Sequence, residues 1–185
     1  WYIGYNAVTS KYSVYASNYL HVNYATTLLL AQAAAVISYI PVGIIASKLG
    51  RRKTILAGVL MLFGSFLGAS FITQASPNWL MYILFALAGI GWATINVNSF
   101  PMVVELAKGS DVGKYTGYYY TASMAAQIVT PVVSGALMDK IGYQSLFPYA
   151  TVFVALAFLT MFFVKHGDSK PEAKVGIEAL DIQDD

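Results

Sequence analysis

The chain alternates long apolar runs with short polar breaks. Six runs predict helices, at about Trp1–Leu20, Ala25–Ser47, Arg52–Gln74, Asn78–Ala107, Val112–Asp139 and Gln144–Lys165. Each holds about twenty residues or more, enough to cross the roughly 30 Å apolar core of a bilayer. Barrel strands would alternate apolar and polar residues, and these runs do not. The expected fold class is therefore all-α and integral to the membrane. Residues 1–166 read as one six-helix transmembrane bundle, and 167–185 as a polar, disordered cytoplasmic tail. The pattern opens inside a helix-like stretch, so we read the chain as a piece of a longer protein.

Polar residues are unevenly shared among the runs. The third and sixth are nearly all apolar, which predicts lipid contact on most sides. In the fifth, Thr116, Tyr120, Ser123, Gln127, Thr130 and Ser134 recur at alternating spacings of four and three. At 100° per residue they fall within about 80° of one another, as one polar stripe. Tyr2, Asn6, Thr9, Ser10, Ser13 and Ser17 make a similar stripe in the first. The fourth adds Trp92, Asn96 and Ser99, and the second adds Gln32 and Tyr39. Intramembrane polar groups line pathways, or they hydrogen-bond between helices, and both readings stand. Pro41, Pro101 and Pro131 each remove a backbone donor inside a run and predict kinks.

Composition and charge sharpen this. Only 11% of residues are charged, against about 25% in an ordinary soluble domain. With no cysteine, disulfides and thiolate metal sites are excluded. Nine of the eleven Lys and Arg residues fall on the second loop, the fourth loop and the tail. Lys140 alone falls on the other side, and Lys11 lies within the first run. Such loops stay cytoplasmic, so the C-terminus is expected there too, in a plasma-membrane protein. Charge sorted by side, at a net +2, gives no reason to expect a nucleic-acid partner. Lys11 lies about 140° from Asn6 around the helix, and either pairs with a group outside the chain or snorkels outward.

No nucleophile–base set, phosphate loop or metal cluster appears, so no enzyme activity, cofactor or metal is expected. The candidate substrate-facing residues are Asn6, Ser13, Gln32, Trp92, Asn96, Tyr120 and Gln127. All are neutral, with amide, hydroxyl or indole groups that suit sugar hydroxyls. The aromatic rings of Tyr5, Tyr12, Tyr39, Trp92 and Tyr118 to Tyr120 either stack on a sugar face or belong to the interfacial belt. Glu105 and Asp139 sit at run ends, and no acid lies deep in any run.

Between the second and third runs, Lys48, Arg51, Arg52 and Lys53 put four positive charges in six residues. Gly50 suits the positive-φ end of a helix, and Gly43 suits close approach of a neighbouring helix. Gly43, Lys48, Gly50, Arg51 and Arg52 resemble the signature loop of the major facilitator superfamily. Ser47 stands where that family usually has Asp, which fits the weaker copy between its eighth and ninth helices. A generic basic loop is the plainer alternative. Gly135 to Gly142 resembles the same motif at the fifth-to-sixth turn. The segments Tyr5-Asn6-Ala7, Asn98-Ser99-Phe100-Pro101 and Gly113 to Tyr119 resemble sucrose- and maltose-type sugar:proton symporters, related to glycoside–pentoside–hexuronide transporters.

That resemblance implies helices seven to twelve of a twelve-helix fold, with the seventh truncated. It implies apolar outer helices at the ninth and twelfth positions, which matches the polarity sorting. It implies a sugar substrate, a proton as coupling ion, and an N-terminal six-helix half outside this chain. It also implies an ion pair between Glu105 and Arg51 or Arg52 that closes the cytoplasmic side. Efflux of amphipathic compounds, or a non-transporting sensor on the same fold, remain the alternatives.

Overall fold

The computed structural model describes residues 1–105, 107 and 111–164. The tail 167–185, Lys108 and Lys165 lie outside the described residues. Six α-helices follow in order: α1 Tyr2–Tyr15, α2 Tyr24–Leu49, α3 Arg51–Ser70, α4 Asn78–Val104, α5 Val112–Ile141 and α6 Leu146–Phe163. A π-turn, Ala16–Leu20, extends α1, and a 3₁₀ turn, Tyr143–Ser145, leads into α6. α2, α3, α4, α5 and α6 with its leading turn are each long and apolar enough to cross a membrane. α3 stops four residues short of the expected Gln74. A turn takes over before Pro77, whose fixed φ starts α4. Pro41, Pro101 and Pro131 all lie inside continuous helices.

Two glycines set the hairpins. Gly50 takes φ 91° and ends α2, while Gly142 takes φ 113° and ends α5. Both conformations strain any residue with a Cβ. Seven positions before each stands another glycine, Gly43 and Gly135. The α2–α3 and α5–α6 hairpins thus share one punctuation.

α4 is wedged between α2 and α3, α3 also packs on α6, and α6 and α5 flank α1. The expectation that α3 faces lipid on most sides is corrected here. Its Ile55, Val59, Leu62 and Phe66 are buried and form the middle of the core. α6 buries one face, through Phe147, Ala150 and Val154, and exposes the rest. The most open apolar faces belong instead to α2 and α5: Ile37, Ile40, Ile128 and Val132 are each 70–76% exposed. Lipid tails are as apolar as Leu, so an apolar helix is equally suited to a protein neighbour.

Close approach is carried by glycines other than Gly43, and this too is a correction. A Cβ added at Gly43 meets nothing within 4 Å. One at Gly89 of α4 would overlap the Ala31 carbonyl of α2. Between α3 and α4, a Cβ on Gly58 would lie 2.9 Å from the Gly91 oxygen, and one on Gly91 2.8 Å from the Gly58 oxygen. Each of these obstacles is backbone, which cannot rotate away.

Gly89→Ala and Gly58→Ala should therefore each destabilise the full-length protein by about 1–3 kcal/mol, the usual cost of overpacking. Gly64→Ala, on an open face of α3, should be neutral or slightly stabilising. Melting temperatures of the three variants in detergent check this, and equal melting would refute the packing described.

Candidate functional site

Serine and threonine hydroxyls in these helices mostly satisfy themselves. Ser10 donates to the Asn6 carbonyl at 2.6 Å, Ser123 to Tyr120 at 3.0 Å and Ser134 to Thr130 at 2.8 Å. These are bonds to the preceding turn, not between helices. The α5 stripe divides accordingly. Ser123, Thr130 and Ser134 are buried, whereas Tyr120 and Gln127 are exposed. The large amides divide: Asn98 Nδ2 donates to the Thr94 carbonyl at 2.8 Å and Asn18 Nδ2 to the Val14 carbonyl at 2.9 Å. Among the described residues, the side chains of Gln32, Asn96 and Gln127 make no hydrogen bond. Asn6 Nδ2 is shielded from solvent with no partner there either.

Aromatic rings join α1, α2 and α4. Tyr5 stacks on Trp92, with ring centres 5.7 Å apart and planes 20° apart. Tyr39 meets the same indole edge-on at 6.3 Å. Beside this cluster lies a cavity of about 220 Å³. Tyr5, Thr9 and Gln32 supply its polar edge, and Leu28, Phe66 and Phe85 its apolar wall. It exists because Ala31, Ala88 and Gly89 are small where α2 and α4 meet.

A second node sits near the starts of α1 and α5 and the end of α4. The Tyr119 hydroxyl lies 3.1 Å from that of Tyr2 and 2.9 Å from that of Ser99. Phe100 packs against both Tyr119 and Tyr120, at 5.5 and 5.6 Å. One phenol thus ties three helices together. Tyr118, by contrast, is 62% exposed with the Lys114 ammonium 6.0 Å from its ring centre.

The basic hairpin is engaged on two sides. Arg51 forms an ion pair with Glu105, just beyond the end of α4. Arg52 Nη2 donates to the Phe162 carbonyl at 2.8 Å and so caps the last turn of α6. The hairpin and the ends of α4 and α6 therefore share one side of the bundle. On the opposite side, Gln74 Nε2 donates to the Tyr19 carbonyl at 2.8 Å and ties the α3–α4 loop to the π-turn. Lys48 is exposed at the end of α2. Lys11 lies across α5, where a Cβ on Gly135 would come within 2.9 Å of its ammonium.

Of the seven candidate substrate-facing residues, only Gln32 lines this cavity; Trp92 meets its edge through Tyr5, and Asn96 lies a turn further along α4. Asn6 is adjacent in sequence to Tyr5, half-buried on α1. Ser13, Tyr120 and Gln127 do not line this cavity. The sequence offers Tyr5 and Tyr39, with Trp92, as rings that could stack on a sugar and Thr9 as part of the α1 stripe, but it does not single out Phe66 and Phe85. The small residues Ala88 and Gly89 on α4 were the available signal for a cavity wall.

Residues 2–181 match the family described as the Major Facilitator Superfamily. Among curated proteins, the chain is similar to the MFS-type transporter ppzB of Metarhizium rileyi, 26% identical over 135 residues, covering 72% of this chain and 27% of that protein. The ppzB transporter of Metarhizium majus is also 26% identical over 135 residues, covering 72% of this chain and 29% of that protein. An uncharacterized MFS-type transporter of Methanocaldococcus jannaschii is 29% identical over 126 residues, covering 68% of this chain and 30% of that protein. The chain thus spans less than a third of the length of these relatives. With nearly every residue inside the family match, and with multiple membrane-length helices, the chain belongs to the major facilitator superfamily.

Proposed function

We propose that this chain is the C-terminal six-helix half, residues 1–166, of a secondary transporter that moves a sugar such as a sucrose- or maltose-like glycoside by alternating access. The observation that carries the reading is the neutral cavity edged by Tyr5, Thr9 and Gln32 beside the Trp92 ring. Its polar groups suit hydroxyls, and stacked rings suit a sugar's C–H face. An anionic substrate would call for Arg or Lys there. At about 220 Å³ the cavity is smaller than the roughly 300–1,000 Å³ of ordinary ligand sites. One half supplies one wall, and a segment outside this chain supplies the other.

Proton coupling is part of the proposal. Before residue 165 the only acids are Glu105, Asp111 and Asp139, all at helix ends. The proton-carrying carboxylate therefore belongs to the rest of the protein. Efflux of a neutral amphipathic compound is the second reading, and Phe66 and Phe85 in the cavity wall favour it.

Uptake of radiolabelled sucrose and maltose by cells making the full-length protein, with and without an uncoupler, decides between them. We expect concentrative uptake that the uncoupler abolishes. Gln32→Ala and Asn96→Ala should each weaken apparent affinity by about 1–3 kcal/mol, roughly five- to 150-fold, for a sugar hydroxyl left unpaired. Uncoupler-sensitive export of a lipophilic dye, with no sugar uptake, would establish efflux instead.

The basic hairpin supports one orientation. We expect the Arg51 side, with the C-terminus, to face the cytoplasm of a plasma-membrane protein. Single cysteines at positions 51 and 114 should resist an impermeant reagent applied to intact cells, while one at 75 should react. Labelling at 51 from outside would invert the topology.

The Arg51–Glu105 pair is proposed to hold the cytoplasmic side closed. Two parallel bonds are available to Arg and not to Lys. Arg51→Gln and Glu105→Gln should each impair transport, and the double variant should cost no more than either alone. Additive losses would remove the lock.

A further inference from the structure

The hairpin carries two lysines that the pairings above leave over. Arg51 engages Glu105 and Arg52 engages the Phe162 carbonyl. Lys48 and Lys53 are exposed and, among the described residues, make no ion pair. Lys53 stands at one end of a groove of about 260 Å³ between α2 and α3, floored by Ile90 and Thr94 of α4. Its walls are mainly apolar, with Ile37, Pro41, Ile45 and Leu49 on α2 and Ala57 and Met61 on α3, while the Ser38 and Thr54 hydroxyls that also line it donate to carbonyls of the preceding turn. Ile37, Ile45 and Leu49 are 74%, 45% and 55% exposed.

The dimensions fit one kind of occupant. From Ile37 to Leu49 the helix rises about 18 Å, slightly more than the roughly 15 Å depth of one leaflet's apolar core. A groove of that length opens along the membrane normal and ends at the water interface beside lysine. An extended hydrocarbon chain matches the walls, and a phosphate matches the cationic end. A neutral solute would leave the lysine unanswered, and a peptide would leave backbone groups unsatisfied among apolar walls. We propose that this groove is a binding site for an anionic phospholipid, with one acyl chain along α2 and α3 and the phosphate held by Lys53 and Lys48.

A second cleft in the same molecule makes the contrast. Between α5 and α6, near Gly142 on the opposite side, Leu137, Ile141, Pro148 and Val152 line a cavity of about 510 Å³. Its polar edge is Gln144 and Ser145, with no charged side chain in the lining. The two hairpins share their glycine punctuation, but only the α2–α3 cleft has a charged side chain, Lys53, in its lining, with Lys48 exposed on the same hairpin. Selectivity for an anionic headgroup therefore belongs to that cleft alone. The charge split sets only which leaflet supplies the lipid. The site itself is independent of what is transported.

The test uses the purified full-length protein in detergent. Dioleoyl phosphatidylglycerol and dioleoyl phosphatidylcholine, identical in their chains, are titrated in turn. Retained lipid is counted by native mass spectrometry, and the melting temperature is followed alongside. The wild-type protein should retain phosphatidylglycerol preferentially and melt higher with it. A lysine near an anionic headgroup contributes a factor of about five, so Lys53→Gln should lose about that much preference and Lys48→Gln/Lys53→Gln more. Ala57→Trp fills the groove without changing charge, and should lose retention while the lysines remain. Equal retention of the two lipids by the wild type overturns the proposal. So does a preference that survives Lys48→Gln/Lys53→Gln, or retention undiminished in Ala57→Trp. Occupation of the groove by another segment of the protein would leave neither lipid retained, and overturns it as well.

Discussion

The bundle depends on backbone meeting backbone along α4. In a bilayer, apolar side chains gain little by leaving lipid for protein, so helices associate through close van der Waals packing. Gly89 lets α4 settle against Ala31 of α2, and Gly58 and Gly91 let α3 and α4 touch carbonyl to Cα. With α4 held on both sides, α3 presents Leu62 and Phe66 to the aromatic cluster of Tyr12, Phe85 and Phe147. That cluster in turn seats α1 and α6. The α1–α6 contact repeats the device, since a Cβ on Gly4 would lie 2.8 Å from the Ala150 oxygen.

The cavity follows from this packing. Small residues that bring α2 and α4 together leave a gap where Val8 and Thr9 of α1 pass them. Trp92 then has room for Tyr5 on its face and Tyr39 at its edge. The helix ends obey a different constraint. Each helix leaves carbonyls unpaired at its last turn, and one arginine of the hairpin answers that need for a neighbouring helix while the other makes an ion pair. Arg52 caps α6 directly, and Arg51 reaches the carboxylate that follows α4. The hairpin's cluster of charge thus fastens three helices on one side of the bundle.

Helix number and approximate ends were legible because an apolar run of about twenty residues matches the bilayer thickness only as a helix. Gly50 was legible as a helix end because a basic, glycine-closed break has a local cause. Burial was not legible. α3 reads as nearly all apolar yet buries one face in the middle of the core, whereas α5 carries the clearest polar stripe and is among the most open helices. Side-chain polarity separates water from lipid, but does not separate lipid from protein. Gly43 illustrates the same limit. Its motif spacing suggests close approach, yet the contacts fall at Gly58, Gly89 and Gly91, which lie in no motif.

The polar stripes show where local bonding ends and unanswered chemistry begins. Ser10, Ser123 and Ser134 close their hydroxyls on their own helices, so their polarity reports little about a ligand. Gln32, Asn96 and Gln127 make no hydrogen bond among the described residues, although an amide can close on its own helix, as Asn98 does on the Thr94 carbonyl at 2.8 Å. Amides at membrane depth cost free energy unless water, substrate or another helix satisfies them. They sit on three different helices, and α2 and α5 are also the helices whose apolar faces stand most open. One set of surfaces therefore carries two unmet needs: apolar area without a neighbour and amides without partners. A surface that only faced lipid would have the first need without the second. Gln32 and Gln127 are exposed and call for water or another polar group, whereas the apolar α2 face from Ile37 to Leu49 carries no such need.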